Sequence, residues 1–142
     1  MTAAFQLRQT DWQHDAEALR AVREAVFIDE QRVPAAMEWD DADATSVHVL
    51  AVDERGAAIG CARLLDDGTV GRVAVLRDWR GRGAGAALVT RVIEIAHAAG
   101  YRRVTLHSQA HARTFYASLG FVAEGDVYIE AGIPHQTMAR EL

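Results

Sequence analysis

Residues 80–85 read Arg-Gly-Arg-Gly-Ala-Gly, three glycines at alternate positions with arginine before and between the first two. An apolar run, Val70 and then Val73 to Val75 around Arg72, precedes them and reads as a buried strand ending near Leu76. After them the pattern turns helical, with Leu88, Val92, Ile95 and Ala99 on one face. Strand, glycine loop and helix start together suit an anion. The first turn of a helix leaves four backbone N–H groups unpaired, and the macrodipole adds roughly half a positive charge there. Glycine lets that backbone approach a phosphate with no Cβ in the way, and arginine brings fork-shaped donors that match phosphate oxygens.

Two familiar phosphate loops fit poorly. A Walker A loop needs a lysine, and all 15 basic residues of this chain are arginine. A dinucleotide fingerprint is met only as Gly81, Gly83 and Ala86, and the acidic residue expected about 20 positions later is replaced by Arg102 and Arg103. A glycine-rich turn that binds nothing is the plain alternative.

Composition sets the bounds. At 142 residues the chain is of single-domain length, half apolar and a quarter charged, as in ordinary globular proteins. A net charge of -5 argues against a nucleic-acid surface. No apolar run reaches the 18 or so residues of a membrane span. The opening MTAAFQLRQTDW has neither the basic nor the apolar region of a secretory leader, which makes a cytoplasmic location the expectation. Cys61, the single cysteine, sits in an apolar run and reads as a small core residue. Without lysine, neither a Schiff base nor a lysine general base is available.

The elements that must position the loop follow in order. A strand over Phe5 and Leu7 ends at Thr10 or Asp11, either of which can cap a helix from about Gln13 to Asp29 with Leu19, Val22, Val26 and Phe27 as its apolar face. Pro34 stops it. Ala35–Ser46 is expected to be an irregular acidic loop. Three strands follow, Val47–Val52, Ala58–Leu65 and Thr69–Val75, joined by Asp/Gly turns that predict antiparallel hairpins. The helix after the glycine loop runs to about Ala99, with Gly100 as its stop. Next come a strand over Val104–His107, a short helix over Ala110–Leu119 closed by Gly120, a strand beginning at Phe121–Glu124, and a last strand over His135–Glu141.

At this point the residues resemble the GCN5-related N-acetyltransferase (GNAT) superfamily. Arg80–Gly85 matches the acyl-CoA pattern Q/R-x-x-G-x-G/A after the strand Val73-Ala74-Val75. The block Gln109 to Tyr116, followed by Gly120-Phe121, is similar to the family's N-x-x-A-x-x-x-Y-x-x-x-G-F, with Gln109 in place of asparagine. Val26–Pro34 and Gly132-Ile133-Pro134-His135 resemble a bacterial ElaA/YjcF-like subgroup. The resemblance spans essentially residues 1–142. It implies one α/β domain with a mixed, mostly antiparallel sheet of six to seven strands, about four helices, and central strands that splay apart.

The implied function is transfer of an acetyl group from acetyl-CoA, as cosubstrate and without a metal, to a primary amine of a small molecule or peptide by direct attack. The alternative is a non-catalytic acyl-CoA-binding module. The resemblance assigns CoA contacts to Val73, Ala74 and Val75, to Arg80, Gly81, Arg82, Gly83, Ala84 and Gly85, and to Gln109 and Tyr116. It also assigns Tyr116 as general acid toward the departing thiolate. Glu30 is the expected general base, with His107 and His135 as alternatives. His107 and His111, four apart across a strand-to-helix junction with no third ligand, do not read as a metal site. The end of the first helix and the next loop border the acceptor in this fold, and there Glu30, Glu38, Asp40, Asp41 and Asp43 surround Trp39. That arrangement predicts an acidic mouth that draws in a cationic amine. The expected assembly is a monomer or homodimer, with no nucleic-acid or membrane partner.

Overall fold

The computed structural model describes residues 4–142. A seven-stranded sheet in the order β1-β2-β3-β4-β5-β7-β6 is built from β1 Phe5–Thr10, β2 Val47–Asp53, β3 Ala58–Leu64, β4 Thr69–Val75, β5 Arg103–Gln109, β6 Val122–Glu130 and β7 Ile133–Glu141. The four consecutive strands β1 to β4 pair antiparallel. Their turns close on the expected acids: Asp53 Oδ1 accepts from the amides of Arg55 and Ala57, and Asp67 Oδ1 from that of Thr69, each at 2.9 Å. Gly56 and Gly68 take the positive φ these turns require.

Between β4 and β5 the sheet comes apart. This is its parallel pair, and only Thr69–Thr105 and Val70–Leu106 are in register. Beyond Val70 the edge of β4 has no partner strand, while β5 stays paired with β7 over all seven of its residues. A bulge in β4 increases the divergence. Ala62 of β3 faces two residues, and Arg72 takes φ 49°, left-handed backbone that a non-glycine residue seldom adopts.

Helices cover both faces. α3, Ala84–Ala98, buries Leu88, Val89, Val92, Ile93 and Ala96 against one face. Its buried stripe is therefore turned slightly from the expected one, with Ile95 half-buried and Ala99 exposed beyond the helix end. α4, Arg113–Ser118, follows a single 3₁₀ turn, and Phe115 and Tyr116 pack on the same core. The opposite face carries α1, Trp12–Arg23, capped by Asp11 and buried through Leu19 and Val22. No helix among the described residues is long and apolar enough to cross a membrane.

Two expectations need correction, and one strand proves longer than the part named for it. The first helix does not continue as α-helix to Asp29: from Glu24 to Glu30 it widens into a π-helix, whose extra residue per turn re-phases the side chains. Ala35–Ser46 is ordered, with a short helix α2, Ala35–Glu38, and a 3₁₀ turn, Asp41–Thr45. Finally, β6 extends to Glu130, two residues out of step with β7 between Glu124 and Tyr128, and forms an exposed sheet edge.

Candidate active site

The gap between β4 and β5 opens into a cleft of about 950 Å³. Of the residues expected to hold CoA, Val73, Ala74, Val75, Arg80, Gly85, Gln109 and Tyr116 line it. Gly81, Arg82 and Gly83 form the turn that leads into α3, whose first residue is Ala84. Gly81 and Gly83 have φ of 76° and 87°, and a Cβ built on either meets nothing within 4 Å. Gly83 is the N-cap of α3 and offers no side-chain cap, so the first amides of the helix lack an internal acceptor until Ala87 bonds the Gly83 carbonyl at 3.0 Å. An open glycine cradle at an uncapped helix start fits a phosphate, and the unpaired edge of β4 fits an amide-bearing arm. Gly85 differs: a Cβ there would touch the Phe115 ring at 3.4 Å and Val75 at 3.8 Å, so its surroundings are packed where those of Gly81 and Gly83 are open. Arg82 lies over the Trp79 ring, 4.8 Å from its centroid.

Arg80 folds back across the cleft. Its Nε donates to the Val75 carbonyl at 3.0 Å, and its two terminal nitrogens donate to the Glu30 carboxylate at 2.7 Å each. Glu30 is half-buried, and Arg80 holds its pKa below the usual carboxylate value. So paired, Glu30 is a weak proton acceptor. Nearby, the Gln109 amide exchanges hydrogen bonds with Gln31 at 3.2 and 2.7 Å, tying the π-helix end to β5. Gln31 was not foreseen, because only the tertiary fold brings positions 31 and 109 together.

Tyr116 packs edge-on against Phe115 and Phe121, with centroids at 5.0 and 5.9 Å. Its hydroxyl has no hydrogen-bond partner among the described residues, and burial pushes its pKa up to about 12. The far wall holds both histidines. His107 Nδ1 lies 2.6 Å from the Tyr128 hydroxyl, and the Tyr128 ring stacks on His135 at 5.9 Å. His135 is buried, and its Nδ1 donates to the Ile133 carbonyl at 2.7 Å. A carbonyl can only accept, so Nε2 of the neutral ring keeps its lone pair. Tyr128, which stands behind both histidines, is a supporting residue that sequence reasoning missed: the strand register, not any local pattern, sets it opposite His135.

The acidic segment departs furthest from expectation. Glu38 and Asp43 are only 3% and 2% exposed, and between them lies Arg23, 1% exposed. Arg23 donates to Glu38 Oε2 and Asp43 Oδ1 at 2.8 Å each. Arg63 bonds Asp40 and Asp43, and Arg72 bonds Asp40 and the Glu38 carbonyl. Burial raises the Glu38 pKa against the pull of Arg72 and Arg23, whereas at Asp43 the arginines outweigh burial and lower it. Trp39 lies under the Arg20 and Arg23 guanidiniums at 5.6 and 5.0 Å, so its face is taken. Glu38 and Asp43 of the expected acidic wall thus belong to an internal ion cluster with the exposed Asp40 at its rim, and of the four acids of this segment only Asp41 is left without an ion-pair partner among the described residues.

The GNAT acetyltransferase domain family matches residues 13–142. ElaA of Escherichia coli is 37% identical over 133 residues, 88% of this chain and 86% of that protein. A Bacillus subtilis protein named as the N-acetyltransferase YjcF is 33% identical over 123 residues, 84% of this chain and 88% of its own. The crystal structure of E. coli ElaA superposes with a TM-score of 0.86 at 32% identity, covering 97% of this chain and all of that one. An acyl-CoA N-acyltransferase from Pseudomonas aeruginosa also superposes at 0.86, at 31% identity over 96% and 99% of the two chains. A sheet parted between β4 and β5, a glycine-capped α3 beside the gap and these relatives agree: the chain belongs to the GNAT acetyltransferase family.

Proposed function

We propose that this protein moves an acetyl group from acetyl-CoA to a primary amine, by direct attack of the amine within the β4–β5 cleft. The observation that carries this reading is the parting of the two strands after Val70 and Leu106, which leaves the β4 edge at Val73–Val75 unpaired in a cleft that Arg80, Gly85 and Tyr116 also line. Acetyl-CoA supplies the acetyl carbon already activated as a thioester. The chain's own residues do the rest. Amides at the start of α3 bind phosphate, and the free edge at Val73–Val75 aligns the pantetheine arm. Tyr116 keeps its proton at neutral pH and delivers it to the sulfur as the C–S bond breaks.

Glu30 takes the amine's proton in this reading once Arg80 turns from it to phosphate, because two anions then compete for one guanidinium. Initial rates with saturating acetyl-CoA, followed by release of free thiol across an amine panel, test the reading. Tight acetyl-CoA binding with no thiol release from any amine favours the non-catalytic module instead.

Replacing Gly83 with valine checks the cofactor site separately. Its φ of 87° strains any L-side chain by about 1–2 kcal/mol. The cradle relaxes to avoid that strain, and acetyl-CoA affinity is expected to fall about 10-fold or more by calorimetry. The melting temperature should fall by only a few degrees, about what that backbone strain costs a chain of this length, since a Cβ at this position meets open space. Unchanged affinity removes the loop from the cofactor site.

A further inference from the structure

We propose that the acceptor amine carries a carboxylate, and that Arg72, backed by Arg63, holds it at the floor of the cleft. The inference rests on the acetyl-transfer reading and specifies its substrate class. Three guanidiniums, Arg23, Arg63 and Arg72, share three carboxylates, Glu38, Asp40 and Asp43, and the donors are in surplus. Two buried side-chain polar atoms among the described residues lack a hydrogen bond, and both are guanidinium donors of this cluster: Arg63 Nε and Arg72 Nε. The latter lies 3.1 Å from Glu38 Oε2 but is misaligned for a bond. Both residues line the cleft, and Arg63 is only 5% exposed. Orphaned buried donors are uncommon, and these two leave the cluster richer in donors than in acceptors.

Arg72 is the member a ligand can reach. Its side chain is 25% exposed, and its hydrogen bonds all leave through Nη2, so Nη1 has no partner among the described residues. The bulge that gives Arg72 its left-handed backbone aims this side chain under α2, immediately before the strand edge at Val73–Val75. A group bound to Arg72 is therefore held close to where transfer occurs. Of the acids that would have drawn in a second positive charge, Glu38 and Asp43 are buried and paired, and the exposed Asp40 and Asp41 do not line the cleft. The unmet valence in this part of the cleft belongs to donors, and a planar carboxylate matches a guanidinium edge.

The test uses matched acceptors: alanine, β-alanine and γ-aminobutyrate, each against its own carboxamide, with putrescine as a dication. The full chain is assayed with saturating acetyl-CoA, and the same pairs are titrated calorimetrically into the CoA-loaded protein. At least one carboxylate is expected to exceed its carboxamide by about 10–100-fold in kcat/KM or in affinity, the usual scale of a charge-assisted hydrogen bond. In Arg72→Gln that ratio should fall to within about 3-fold, Arg72→Lys should retain part of it, and acetyl-CoA affinity should stay near wild type in both. The wild-type ratio is informative even if a variant folds poorly. Putrescine or the carboxamides preferred by the wild type, no discrimination in either assay, or a preference that survives Arg72→Gln overturns the inference while leaving acetyl transfer intact. Failure to bind acetyl-CoA at all overturns the acetyl-transfer reading, and this inference with it.

Discussion

Tyr116→Phe is expected to lower kcat by about 10²–10⁴-fold, the usual scale for loss of a general acid, with acetyl-CoA affinity nearly unchanged. The ring stays, so its contacts with Phe115 and Phe121 stay as well. The hydroxyl has no protein partner to lose, so the variant should melt close to wild type. The pH profile supplies a second check. Burial holds the Tyr116 pKa near 12, so the acid remains protonated across the working range. Any alkaline fall in rate below about pH 10 must then come from another group, and it should persist in the Phe variant. The same shift has a cost in stability. The unfolded chain begins to lose this proton near pH 10, whereas the fold holds it to about 12, so stability should decline between those values. A wild-type kcat in the Phe variant would return Tyr116 to the status of a packing residue.

Arg23→Leu should be the most damaging single change to the fold. Removing one partner from a buried ion pair costs about 3–5 kcal/mol, because the remaining charges stay buried without compensation. Here two buried carboxylates lose their shared partner at once, leaving Glu38 with Arg72 alone and Asp43 with Arg63 alone. For a chain of this length the loss corresponds to a fall of roughly 10–15 °C in melting temperature. Its pH dependence has a definite sign. Without Arg23 both carboxyls hold protons more readily than in the wild-type fold, so the deficit should be greatest at neutral pH and shrink as pH falls into the carboxylate range. Urea titrations at neutral and acidic pH measure both effects. A loss below about 1 kcal/mol at neutral pH would mean that water reaches the cluster and stands in for Arg23.

What this chain declares by sequence alone is local. The Asp/Gly turns at 53–56 and 66–68 specify hairpins, since a carboxylate two to four residues from an amide reaches it whatever the rest of the chain does. The Arg80–Gly85 loop declares itself for the same reason: left-handed backbone at Gly81 and Gly83 and a helix start within a few residues make a complete physical device. Tertiary structure decided the rest. Whether Glu38 and Asp43 faced water or an arginine depended on Arg23, 15 and 20 residues away, and on Arg72, 34 residues from Glu38. An acidic run reads as solvated until such partners are placed. The π-helical turn that aims Glu30 is equally hidden, because it changes the phase of side chains without changing their pattern. The parting of β4 from β5, on which the whole cleft depends, involves strands separated by the glycine loop and α3. No local energy could announce it, since it comes from a bulge at Arg72 and from β5 pairing fully with β7 instead.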